Sequence, residues 1–127
     1  SVTYADLNNI PALDALVRPE TRMLWIETPT NPTLKLVDLQ ALVAFAKKHK
    51  LITVADNTFC SPWVQRPLEY GIDVVVHSTT KYINGHSDVI GGAVITKTAF
   101  ADKIAMLQNA VGAIAGGHCQ IAELLHQ

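Results

Sequence analysis

Lys81 lies where an apolar run turns polar, in Val74-Val75-Val76-His77-Ser78-Thr79-Thr80-Lys81-Tyr82-Ile83-Asn84-Gly85-His86-Ser87-Asp88. An amine at that place can condense with an aldehyde. The hydroxyls beside it, together with nearby backbone N–H groups, can hold a phosphate. The combination suits an aldehyde cofactor that carries a phosphate. Two further apolar runs end in polar turns, Glu27-Thr28-Pro29-Thr30-Asn31-Pro32 and Ala55-Asp56-Asn57-Thr58-Phe59. Polar turns are common one at a time. Three in the same topological position point to a site.

A carboxylate at Asp56, after Leu51–Ala55, is costly to bury unless it is paired or hydrogen-bonded. It can cap the turn that follows, or it can pair with a protonated ring nitrogen and keep the ring positive. A pyridinium is what makes pyridoxal phosphate an electron sink for a carbanion. Lys81, partly desolvated beside such a ring, favours Schiff-base chemistry, although a lysine is ordinarily just a surface charge. Asn31, held between two prolines, can satisfy backbone groups of its own turn or donate to a phenolic oxygen on a cofactor ring.

The elements that must position these groups are legible. Met23–Thr28, Ile52–Asn57, Val74–Thr79 and Gly92–Thr96 are apolar and β-branched-rich and read as strands. Between the first two, Leu39, Leu42, Val43 and Ala46 form a helical stripe. Asp38 is placed to cap it, and Lys47, Lys48, His49 and Lys50 suit its negative end. Ile10–Val17 reads as a shorter helix, Pro67–Tyr70 as a single helical turn, and Ala99–Val111 as a helix with Phe100, Ile104, Leu107 and Val111 on one face. Strands alternating with helices predict an α/β fold with a mostly parallel sheet and flanking helices. Strands apolar along most of their length predict a sheet covered on both faces. Ligands of such sheets bind at the carboxyl ends of the strands, where the three turns lie.

Composition narrows the function classes. The 127 residues, 49% apolar, suffice for one domain with a real core. Ten basic and eleven acidic side chains leave a net charge of −1, with no basic footprint for nucleic acid. No apolar run approaches a membrane span, and the start has no signal-peptide pattern. Cys60 and Cys119 are far apart in sequence, which favours a reduced, cytoplasmic setting. His77, His86, His118, Cys119 and His126 show no ligand spacing, so no metal site is expected. Gly85, Gly91 and Gly92 complete neither nucleotide-binding glycine motif, and no G-x-S-x-G elbow is present. Cys60 reads as a buried, inert thiol. The stretch Gly116–Gln127 breaks the pattern and reads as an atypical tail. The first residue is not methionine, so a fragment of something longer is expected.

ETPTNP at 27–32, VADNTF at 54–59 and HSTTKYINGHSDVIGG at 77–92 closely resemble the Cys/Met-metabolism (trans-sulfuration) family of pyridoxal-phosphate enzymes. That family includes cystathionine γ-synthase, cystathionine γ- and β-lyase, methionine γ-lyase and the O-acylhomoserine sulfhydrylases. The resemblance runs from about Val2 to about Ala115 and includes LQNAVGAI at 107–114. It implies part of a fold type I large domain, with 1–115 a partial cofactor-binding domain and 116–127 the tail. By resemblance Lys81 is the Schiff-base lysine and Asp56 the partner of the pyridine nitrogen. Ser78 and Thr80 are phosphate-binding hydroxyls, Asn31 lies near the phenolic oxygen, and Thr58 packs near the ring. The implied activity is γ-replacement or γ-elimination on small amino acids such as homoserine esters or cystathionine, by a homotetramer with shared sites. Family members are longer than this chain, and their further phosphate, stacking and carboxylate-gripping groups have no counterpart in it. A catalytically inactive remnant is the alternative expectation.

Overall fold

A computed structural model describes residues 1–113 of the chain; the expected 116–127 tail, with His118, Cys119 and His126, lies outside the described residues. The strands are β1 (Met23–Glu27), β2 (Ile52–Asp56), β3 (Val74–Ser78) and β4 (Gly92–Thr96), and the helices are α1 (Ile10–Leu13), α2 (Leu39–His49) and α3 (Thr98–Val111). Single 3-10 turns follow α1 (Asp14–Leu16) and precede β3 (Pro67–Tyr70). The strands form one sheet in the order β1-β2-β3-β4.

β1, β2 and β3 are parallel, with Glu27 opposite Asp56 and Asp56 opposite Val76. β4 runs antiparallel to β3, with Ser78 opposite Gly92. The link from 79 to 91 contains turns and no helix, so the chain doubles back instead of crossing over. Three of the four strands end one residue earlier than their apolar runs predict. Thr28, Asn57 and Thr79 leave the ladder to enter the turns.

α2 forms where the stripe predicts it. Asp38 accepts a hydrogen bond from the N–H of Ala41 at 3.0 Å, and Lys50 closes the helix in the left-handed conformation. The stripe residues Leu39, Leu42, Val43 and Ala46, joined by Phe45, pack with Ile26, Ala55 and Val75 into the core. Leu42, Ile26 and Ile72 are fully inaccessible, each side chain contributing about 1.5–3 kcal/mol by leaving water. Gly71, at φ +99°, turns the chain into β3 directly against Val43.

Coverage of the sheet is less even than predicted. β1 buries Ile26 but leaves Met23 and Trp25 half exposed, because α2 packs on the opposite face. α3 packs against β4 through its first turns, where Phe100 and Ile104 are half-buried. Leu107 and Val111, on the expected apolar face, lie beyond the strand and are exposed.

Candidate functional site

A cavity of about 180 Å³ opens at the carboxyl ends of β1, β2 and β3. It is lined by Glu27, Pro29 and Asn31 from the first strand end, Asp56, Thr58 and Phe59 from the second, and Ser78 and Lys81 from the third. Parallel register explains the convergence. Once Glu27, Asp56 and Val76 stand side by side, the three turns must leave the sheet from one edge.

Five of the six residues singled out from the sequence line this one cavity: Lys81, Asp56, Ser78, Asn31 and Thr58. Thr80 does not. Its hydroxyl donates to the carbonyl of Gly91 at 3.3 Å and accepts the Gly91 N–H at 3.0 Å. That exchange pins the start of the 79–91 link to its end. A Cβ at Gly91 would come within 2.6 Å of Thr79 Oγ1, so the close approach requires glycine.

Asp56 is half-buried, and its Oδ1 accepts the N–H of Thr58 at 3.0 Å. The hydroxyl of Thr58 in turn accepts the N–H of Ser78 at 2.9 Å. One threonine therefore ties the carboxylate of the second turn to the start of the third. Lys81 follows within three residues, its N–H donating to the Ser78 carbonyl at 3.2 Å. Among the described residues its ammonium takes part in no ion pair. It is exposed on the open turns that carry it. Beyond it, Tyr82 stacks on Phe59 of the cavity wall, with ring centroids 5.8 Å apart.

The 27–32 turn is bound back on itself. Glu27 Oε1 accepts the Asn31 N–H at 3.0 Å, and Thr30 Oγ1 meets Thr33 Oγ1 at 2.9 Å. The peptide bonds before Pro29 and Pro32 are cis. Sequence reasoning passed over Glu27 as a site residue, although it opens the quoted motif and pairs in register with Asp56. Pro29 and Phe59 were likewise read as part of motifs, not as walls.

Behind the cavity lie polar groups that point into the protein. Thr28, Asn57 and His77 are 1%, 1% and 5% exposed. Burial pushes the His77 imidazole below its ordinary value, with the Asp56 carboxylate partly opposing the shift. Among the described residues His77 Nδ1 has no hydrogen-bond partner. Cys60 is buried, and loss of solvent raises its thiol pKa, in keeping with an unreactive side chain.

A family model described as "Cys/Met metabolism PLP-dependent enzyme" matches residues 1–121. A probable cystathionine gamma-synthase of Herpetosiphon aurantiacus is 49% identical over 117 residues, covering 91% of this chain and 37% of that protein. An L-methionine gamma-lyase of Pseudomonas deceptionensis is 48% identical over 120 residues, 92% of this chain and 30% of its own. The crystal structure of cystathionine gamma-lyase from Lactobacillus plantarum complexed with L-serine superposes with a TM-score of 0.88 at 47% identity, over 91% of this chain and 31% of that one. The chain thus spans about a third of the length of the proteins it resembles.

Proposed function

The chain belongs to the Cys/Met metabolism family of PLP-dependent enzymes, and from that premise we propose that its cavity is the cofactor half of a trans-sulfuration active site. The observation that carries the proposal is the convergence of Asp56 and Lys81, with Ser78 and Asn31, on one cavity. The donor set suits pyridoxal phosphate: a carboxylate for a ring nitrogen, an amine for an aldehyde, a hydroxyl for a phosphate, an amide for a phenolic oxygen. When bound, pyridoxal phosphate supplies an electron sink that eases removal of a proton from Cα of an amino acid.

The chain's own residues have separable tasks. Asp56, oriented by the Thr58 N–H, would keep the ring nitrogen protonated. Ser78 would hold the phosphate, and Thr80 would support it by pinning the link to Gly91. Asn31 would donate to the phenolic oxygen from a turn bound to Glu27. Lys81 would bind the aldehyde and, once released, move the Cα proton as general base. With no ion pair among the described residues, the amine is available for both. The substrate class is a small amino acid of the homoserine-ester or cystathionine type, undergoing γ-replacement or γ-elimination. The relatives carry synthase and lyase names alike, so methionine γ-lyase, cystathionine β-lyase and sulfhydrylase chemistry are the alternatives within the family. A homo-oligomer, tetrameric as the family resemblance implies, and a cytoplasmic setting complete the proposal. Among the described residues no helix is long and apolar enough to cross a membrane.

The test adds pyridoxal phosphate to the chain, looks for a visible absorbance band, reduces with borohydride and maps the label. Label on Lys81, absent in Lys81→Ala, supports the cofactor site. No band in the wild type favours the inactive remnant.

A further inference from the structure

Two of the strand ends at the cavity, those of β1 and β2, carry two kinds of residue in alternation. Glu27 and Pro29, then Asp56 and Thr58, line the cavity. The residues between them, Thr28 and Asn57, point the other way and are almost wholly buried. Most buried polar groups are satisfied from within the protein. Asn57 is satisfied by Gln65, a residue nine positions after Asp56 that does not reach the cavity.

The two amides bind reciprocally. Asn57 Nδ2 donates to the Gln65 carbonyl at 3.0 Å, and Gln65 Nε2 donates to Asn57 Oδ1 at 2.7 Å. The second hydrogen on Gln65 Nε2 goes to the carbonyl of Thr28 at 3.1 Å. Asn57 also donates its N–H to the Val76 carbonyl at 2.9 Å and accepts the Cys60 N–H on its own carbonyl at 2.9 Å. The ends of β1 and β2 are therefore cross-tied through two side chains, one residue away from Glu27 and from Asp56, and the Asn57 main chain joins them to β3 at Val76.

We propose that Asn57 and Gln65 are positioning residues for the site, fixing the turn that carries Asp56 and Thr58 against the Pro29–Asn31 turn and the end of β3. Hydrogen bonds have a direction that apolar packing lacks. A matched apolar pair can replace a satisfied polar pair with little loss of stability, but it leaves the strand ends free to shift. The amides act on the Asp56 carboxylate through the Asn57 main chain, and on Ser78 through Thr58. Their effect on cofactor binding rests on the function proposed above; their effect on the turns does not.

The test uses the full chain as Gln65→Met and as the double variant Asn57→Leu/Gln65→Met, the single variant serving if the double does not fold. Amide hydrogen exchange is read at Thr58 and Ser78, whose N–H groups meet Asp56 and Thr58, and at Thr53, at the far end of β2. Exchange at Thr58 and Ser78 should quicken about tenfold or more while Thr53 stays within about twofold of wild type. In the same variants the dissociation constant for pyridoxal phosphate should rise about tenfold, and the urea midpoint of the double variant should fall, because the Thr28 and Gln65 carbonyls lose their side-chain donors. Unchanged exchange at Thr58 and Ser78, or equal quickening at all three amides, would overturn the positioning role. A wild-type chain that takes up no pyridoxal phosphate would overturn the cofactor reading instead, and the exchange result alone then decides on the amides.

Discussion

Thr58 Oγ1 accepts the N–H of Ser78 at 2.9 Å, which ties the turn after β2 to the last residue of β3. The same residue's N–H holds Asp56, so one side chain and one amide set the relative positions of a carboxylate and a hydroxyl. Thr58→Val keeps the shape and removes the acceptor. It should lower stability by about 1 kcal/mol and weaken uptake of pyridoxal phosphate, while Thr58→Ser stays close to wild type. Urea unfolding and a cofactor titration of the three proteins check this, and equal binding by Val and wild type would refute it.

At the opposite end of the sheet, Thr53 and Asp73 hold each other through three hydrogen bonds of 2.7–2.9 Å. Thr53 is 2% exposed, so Asp73→Ala would take the acceptor from its buried N–H and O–H, leaving only the bond from the residue 73 N–H to the hydroxyl. A loss of about 1–3 kcal/mol in urea unfolding is expected. Cofactor uptake by the folded protein should be unaltered, since this knot lies at the amino ends of the strands.

Gly71 adopts φ +99°, and a Cβ there would meet Val43 Cγ1 at 3.3 Å. Gly71→Ala therefore combines an unfavourable backbone conformation with crowding of α2. Destabilisation of more than about 1 kcal/mol is expected, read as a lower thermal midpoint. Gly85→Ala, at φ +79° with open space around it, should cost less.

Burial lowers the pKa of His77 from its ordinary 6.5. Below that pH the unfolded chain binds a proton that the folded chain refuses, so stability falls as pH drops through 6.5 and is unaffected above it. Urea midpoints measured from pH 7.5 to 5.5 should show this decline. In His77→Leu the decline should be shallower, whatever its midpoint at pH 7.5.

The strands and α2 were legible because their signals are local: apolar runs for one, a stripe with Asp38 and the basic end for the other. Asp56, Ser78, Lys81, Asn31 and Thr58 were legible because their residue types carry chemistry and their motifs resemble a known family. What escaped was direction. Asn57 and Asp56 are equally polar neighbours, and only the burial of Asn57 and its side-chain bonds with Gln65 show which of them turns inward. Gln65 carries no signal at all until Asn57 is seen to need a partner. The reversal into β4 was also hidden, because 79–91 is read from sequence as a motif and its turns emerge only in three dimensions. Leu107 and Val111 kept helical spacing but had no strand left beneath them.

The alternation along β2 makes the site sensitive to chain length. Inserting one residue in β2 before Asp56 would rotate the side chains that follow at that strand end to the other face, burying a carboxylate in the core and offering an amide to the cavity. The 79–91 link has no such parity, since turns separate Lys81 from Gly92. Added or deleted residues should therefore be lethal to the chemistry in the strands and survivable in the link between Tyr82 and Ile90.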